Sequence, residues 1–283
     1  MLKLLKVDFS RKNLTMKKFK LEKIAHRIRK NIIRMLAPYE SHHIGCSLSI
    51  VEILTVLYFH TMKVFPKNPG SSKRDIFILS KGHGAAALYS TLAEKGFFAK
   101  KILQTYDRDG GVLPEHSTRV VPGIEVSTGS LGHGLPIGIG FALSFINNHK
   151  PNRVFVLVSD GELNEGSTWE AIMFAGHHKL SNLTVIVDAN GLQGYGQTKD
   201  VLDLSPLDEK LRQFRWNVYN TNGHDMEKLI AVFNRLDKSQ NNWPNFIIAR
   251  TIKGKGVSFF EGKFESHYKS VDEKTKQEIL ATL

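Results

Sequence analysis

One cysteine, Cys46, stands among 283 residues. A chain with a single thiol cannot build an internal disulfide framework, and this scarcity points to a reducing, cytoplasmic setting. Long apolar runs are missing too: no stretch approaches the roughly 18 to 20 residues that a membrane-spanning helix needs, so no membrane partner is expected. The opening MLKLLKVDFSRKNLT lacks the apolar core and small-residue cleavage site of a secretory signal. Internal repeats, low-complexity tracts and long linkers are absent. Residues 20–283 therefore read as one continuous domain behind a basic N-terminal extension, 1–19.

Acidic residues are scarce in one place only. The formal net charge is +12, yet residues 1–34 hold 12 of the 39 Lys/Arg against Asp8 and Glu22 alone. The remainder is close to neutral. An arm for nucleic acid or an anionic surface would have this charge pattern. So would a solvated tail followed by an amphipathic helix with a lysine-rich outer face. Leu21, Ile24, Ile28, Ile32 and Met35 supply the helical spacing for the inner face. We take the second reading, and no nucleic-acid partner is expected. The regular pattern begins only after Met16, which makes that residue an alternative start.

Periodicity predicts helices over about 20–37 and 47–62, separated by the loop APYESHHIGC. IFILS then reads as a short buried strand ending at KGHG, with a helix to about residue 95. A Gly- and Pro-rich segment, 107–135, precedes a small-residue helix over about 135–147. Beyond it RVFVLVS, LTVIVDAN, NVYNT and NFIIARTI read as strands, with helices over 162–178, 206–214 and 225–238 between them. Near-continuous apolar strands alternating with amphipathic helices indicate an α/β fold, three-layer α/β/α with a mostly parallel sheet. In such sheets ligands sit beyond the carboxyl ends of the strands.

Two of those ends carry suggestive residues. Asp160 and Gly161 follow one strand, and Asn190 follows the next at the spacing of a βαβ crossover. A carboxylate and an amide oxygen are hard ligands that suit Mg²⁺, which often shares its shell with phosphates. Gly161 lets a phosphate approach its backbone N–H at the start of a helix. Asp160 alone also reads as a helix cap, and Asn190 alone as a turn residue. The pair at neighbouring strand ends favours a diphosphate held through a divalent metal.

The wording SDGELNEGSTWEA…LSNLTVIVDANGLQ resembles the thiamine-diphosphate motif of transketolases, and the resemblance covers almost the whole chain from about residue 20. It implies the thiamine-diphosphate-binding fold of the diphosphate-binding domain. By this resemblance Asp160 and Asn190 bind the metal (Mg²⁺, or Ca²⁺ or Mn²⁺) by side chain, and Leu192 by its carbonyl oxygen. Gly161 meets the diphosphate, and Gly129 and Leu131 offer backbone oxygens to the aminopyrimidine. His43 in SHHIGCSLS, His83 in LSKGHG, His116 in LPEHS and His267 in FESHY match the family's four histidines. In transketolases these contact diphosphate, substrate hydroxyls and the carbonyl oxygen, with His83 and His267 among the cofactor ligands. Imidazole suits such work because it donates, accepts and exchanges protons near neutral pH. Glu165 corresponds to a glutamate that links two active sites across a dimer; as a first-turn acid it would also suit the helix dipole.

Several positions depart from the family or carry an ordinary reading. Ser159 replaces a glycine, and His133 a glutamine. Trp169, Ile172, Met173 and Gly176 read as a core-packing stripe, and Lys253 and Lys255 as solvated lysines. The family's activating glutamate belongs to a pyrimidine-binding domain that normally follows in the same polypeptide, and 283 residues are too few to hold it. The resemblance therefore implies the N-terminal subunit of a split transketolase. Its partner would be a separate C-terminal subunit, in an α₂β₂ assembly acting on sugars or sugar phosphates. The alternatives are the α-type component of a 2-oxo acid dehydrogenase, or a non-catalytic scaffold or regulatory paralogue.

Overall fold

The computed structural model describes residues 9–35, 42–236 and 241–283, with side chains described from Met16 onward. Among the described residues five strands form one sheet: β1 Ile76–Leu79, β2 Val154–Ser159, β3 Leu183–Ala189, β4 Asn217–Asn222 and β5 Asn245–Arg250. Their order is β1-β2-β3-β5-β4, and every neighbouring pair is parallel. The helices are α1 Phe9–Met35, α2 Ile44–Leu48, α3 Val51–Val56, α4 Ala85–Lys95, α5 Gly134–Asn147, α6 Gly166–His177, α7 Thr198–Leu202, α8 Leu207–Gln213, α9 Met226–Leu236 and α10 Glu273–Thr282.

Successive side chains of a strand point to opposite faces, and the two cores follow that rule. Phe77, Leu79, Phe155, Leu157, Ile186 and Ile247 pack against α1, α3, α4 and α9. Ile78, Val156, Val158, Val185, Phe246 and Ile248 pack against α5, α6 and α8. The expected three-layer arrangement is the observed one, and the sheet is wholly parallel.

The differences from expectation are local. Helix α1 is described from Phe9 onward, so the boundary expected between residues 19 and 20 falls inside one helix. Its inner face is as expected, with Leu21, Ile28, Ile32 and Met35 buried and Ile24 packed at the edge. The basic side chains are not all solvated: Lys18 pairs with Glu227, Arg27 with Glu94 and Arg29 with Glu52, which ties the helix to the fold. Asp8, the end of the predicted first helix at 36–37, most of the loop after it and positions 237–238 lie outside the described residues.

The expected 47–62 helix is α2, α3 and a π-helical turn, Leu57–Thr61. Contrary to the expectation from apolar runs, Ile44–Thr61 is long and apolar enough to cross a membrane by length and composition. However, 83% of that window is buried inside the protein, as a core segment would be. The expected 162–178 helix starts late, because a 3₁₀ turn over Gly161–Asn164 precedes α6. Within the predicted packing stripe, Ile172 and Gly176 are buried but Met173 is 45% exposed. A Cβ on Gly176 would lie 1.8 Å from the Phe214 carbonyl oxygen, so this glycine lets the chain before β4 pass over α6.

Candidate active site

The carboxyl ends of β1, β2, β3 and β5 converge with the start of α2 on a cavity of about 430 Å³. That volume is within the ordinary range for small-molecule sites, about 300–1,000 Å³. All eleven residues singled out from sequence line it: His43, His83, His116, Gly129, Leu131, Asp160, Gly161, Glu165, Asn190, Leu192 and His267.

Strand register explains the first group. Ser159 at the end of β2 pairs with Asp188 of β3, which sets Asp160 beside the start of the Asn190 loop. Asp160 accepts N–H bonds from Gly161 at 2.9 Å and from Gly191 at 2.6 Å. Burial, followed by the nearby Asp188 carboxylate, nevertheless pushes its carboxyl up to about 6. Two crowded carboxylates beside an amide oxygen and a loop carbonyl form a donor set that a hard divalent cation relieves. The residues present therefore fit a Mg²⁺-type ion.

Asn190 donates through Nδ2 to Asp188 at 3.1 Å, which turns Oδ1 the other way, where it accepts from Leu192 N–H at 3.0 Å. Asp188 thus orients the amide. Ser159, in place of the family's glycine, accepts the N–H of Glu162 at 3.1 Å through its hydroxyl and supports the turn.

Sequence reasoning passed over Asp188 and Lys81. Both are fully buried and form an ion pair at 2.6 Å. Asp188 also accepts from the hydroxyls of Ser49, at 2.7 Å, and of Thr251. Burial alone would drive the Asp188 carboxyl upward; the Lys81 ammonium and these donors hold it below the usual carboxylate range. Burying two charges costs several kcal/mol per ion unless they are paired and their remaining valences met, and here they are. Glu162 was likewise missed: wholly buried, it accepts from Gly132 N–H at 3.0 Å and from the Ser80 hydroxyl, binding the Gly129–Gly132 loop to the strand ends.

The four histidines form one cluster. The His43 ring lies 4.7 Å from that of His267, 5.2 Å from His83 and 5.8 Å from His116, between centroids. His43 has a left-handed φ of 67° and donates its backbone N–H to the His267 carbonyl at 2.9 Å. Such a backbone is disfavoured for a residue with a Cβ and persists only where surroundings dictate it. The half-buried His83 lines the cavity, and burial pushes its ring down to about 4, so it is neutral at physiological pH.

Other expectations are refined. Lys253 is not solvated: it is 1% exposed, with Nζ 3.1 Å from His267 Nδ1. Lys255 pairs with Glu261. Exposed His133 lies 3.0 Å, through Nδ1, from the Leu131 carbonyl, leaving one lone pair of that oxygen. Glu165 occupies the N-cap position of α6 without making a side-chain cap, and it is exposed.

Residues 21–280 match the family described as transketolase, thiamine diphosphate binding domain. The chain belongs to the transketolase family. It is 41% identical over 264 residues to 6-deoxy-6-sulfo-D-fructose transketolase subunit SqwG of Clostridium sp. (strain MSTE9), covering 93% of this chain and 96% of that one. It is 42% identical over 251 residues to an apulose-4-phosphate transketolase subunit of Actinobacillus succinogenes, covering 88% and 90%. The fold superposes on the crystal structure of transketolase from Campylobacter jejuni with a TM-score of 0.85 at 29% identity, covering 92% of this chain and 42% of that one. The chain thus spans about two fifths of that solved transketolase and nearly all of the two transketolase subunits.

In this transketolase-family site, Lys81→Met strands a buried carboxylate and should cost about 3–5 kcal/mol. Adding Asp188→Asn should give a double variant less destabilised than the sum of the singles, read by urea unfolding. For His83, folded and unfolded chains are both neutral above about pH 6.5; as pH falls toward about 4 only the unfolded chain binds the proton. Its contribution to stability is therefore lost on acidification across that window. Its ring should titrate near 4 by NMR in the folded protein, and a midpoint near 6.5 would contradict the burial argument.

Proposed function

We propose that this chain is the thiamine-diphosphate-binding subunit of a split transketolase. It moves a two-carbon ketol unit from a ketose to an aldose together with a partner subunit that carries the pyrimidine-binding domain. The observation that carries the reading is the placement of Asp160, Asn190 and Leu192 at neighbouring strand ends, opening on four clustered histidines. Asp160 and Asn190 would hold a divalent metal by side-chain oxygen and Leu192 by its carbonyl, with Gly161 facing the diphosphate. Gly129 and Leu131 would receive the aminopyrimidine. Bound thiamine diphosphate supplies a nucleophilic carbon that no protein side chain offers.

The chain's own residues then do the binding and the proton handling. His83, neutral because of its burial, hydrogen-bonds without adding charge. His43, His116 and His267 can hold or pass protons at substrate oxygens, where charge develops. The Lys253 ammonium donates to His267 Nδ1, which leaves Nε2 of that ring as the N–H donor.

A heteromer, α₂β₂ by our reading, is supported by two features. Both relatives above are named as subunits. On the packed pair α5 and α6, Ile137, Met173 and Phe174 are exposed, large apolar side chains of the kind that subunits cover. The substrates in the relatives' names are ketoses bearing a sulfo or a phosphate group, and a ketose with an anionic group is the donor class we assign. The family match weighs against a 2-oxo acid dehydrogenase component.

Calorimetry with the partner present should find thiamine diphosphate binding that requires Mg²⁺. Asp160→Ala should weaken it by more than about 100-fold, beyond the effect typical of an outer-shell partner. Ketol transfer should appear only with the partner. Full activity of the chain alone would refute the split assembly. Intact partner association without cofactor binding would instead point to a scaffold.

A further inference from the structure

Cys46 is the chain's one thiol, and neither the hard-oxygen metal set nor the proposed proton handling uses it. It is buried at the cavity wall, with Sγ 3.3 Å from His267 Nδ1. One donor atom each from His43, Cys46 and His267 lie within 4.8 Å of one another. His43 Nδ1 is buried and has no hydrogen-bond partner, which leaves that ring nitrogen open to a ligand. We propose that His43, Cys46 and His267 form a second metal site, for a thiolate- and imidazole-preferring divalent ion of the Zn²⁺ class. It is distinct from the oxygen site at Asp160.

The geometry suits that ion. Zinc bonds of about 2.3 Å to sulfur and about 2.0–2.1 Å to nitrogen give tetrahedral edges of roughly 3.3–3.6 Å, close to the separation already present between Cys46 and His267. Three protein ligands leave a fourth position open toward the cavity, the arrangement of exchangeable rather than purely structural zinc sites. Soft thiolate and imidazole select such ions over Mg²⁺ or Ca²⁺.

The frame is pre-set as well. His43 and Cys46 stand three residues apart at the start of α2. The His43 N–H bonds the His267 carbonyl, and Gly254 N–H donates to the Gly45 carbonyl at 3.0 Å. A Cβ on Gly45 would lie 2.1 Å from Ser266 Oγ, so the two ligand-bearing segments are in direct contact.

Charged or titratable neighbours surround the trio, His116 and Tyr268 through ring contacts among them. Glu115 lies 3.7 Å from His43 Nε2, Lys81 Nζ donates to the Cys46 carbonyl at 3.1 Å, His83 packs on two of the rings, and Lys253 Nζ shares His267 Nδ1. Lys253 is the internal competitor. A metal must displace its N–H from that lone pair, while the Cys46 thiol gives its proton to solvent. Affinity should therefore rise when the ammonium is removed.

The metal alone is the probe, so the outcome is independent of thiamine diphosphate binding. Co²⁺ added to the full chain should raise a near-ultraviolet thiolate-to-cobalt absorption that saturates at one ion per chain and is bleached by Zn²⁺. Cys46→Ser should abolish the band, and Lys253→Met should tighten binding. Zinc-edge absorption spectroscopy of the unaltered protein should find one sulfur at about 2.3 Å with nitrogens at about 2.0–2.1 Å. A first shell of nitrogen and oxygen only, or a cobalt band that persists in Cys46→Ser, would overturn the assignment.

Discussion

The buried Asp188 carboxylate is the point on which the site depends. It sits in β3 with no exposure and gathers Lys81 from the end of β1, Ser49 from the turn between α2 and α3, Thr251 from the end of β5 and Asn190 from its own loop. An unpaired buried charge is costly, so these four donors are held in place by what their loss would cost. The bond from Asn190 aims its amide, while burial first and then the nearby Asp188 carboxylate raise the proton affinity of Asp160. A metal-ready donor set is thus a consequence of how one buried acid is satisfied.

Around that centre, parallel topology does the gathering. Every strand runs the same way, so every carboxyl end delivers its loop to one edge of the sheet. Lys81 and His83 come from β1, Asp160 from β2, Asn190 from β3 and Lys253 from β5. The segments carrying His43 and His267 are not neighbours in sequence; the backbone bond between them joins them across the cavity. In the same histidine cluster, His116 sits against Gly129, where a Cβ would lie 3.1 Å from the ring. That glycine lets the imidazole close over the loop.

Much of this was legible in the residues. Four of the five described strands read as apolar runs, β4 being the polar NVYNTN, and the crossover length between Asp160 and Asn190 implied adjacency. His43, His83 and His267 could be aligned by their flanking words, and His116 by its 13-residue distance to Gly129. What stayed hidden depends on long-range burial. Asp188 and Lys81 look like ordinary charges in VDAN and SKGHG, since no local pattern reveals that each is the other's counter-ion. Lys253 read as solvated because a lysine beside a glycine usually is. The 44–61 segment contains serines and a glutamate that masked its apolar character, and Met173 shares the helical spacing of buried residues while facing out. Helical residues 9–19 were missed because the apolar stripe that marks the helix in the sequence starts only at Leu21.

The central claim is that Asp160, Asn190 and the Leu192 carbonyl hold the cation that fixes the cofactor's diphosphate in this cavity. Anomalous diffraction from crystals of the partner-bound protein grown with thiamine diphosphate and Mn²⁺ tests it most directly. The account predicts one manganese peak ligated by those three oxygens and by the diphosphate. A manganese peak elsewhere, or a diphosphate bound away from Gly161 and the four histidines, would contradict it.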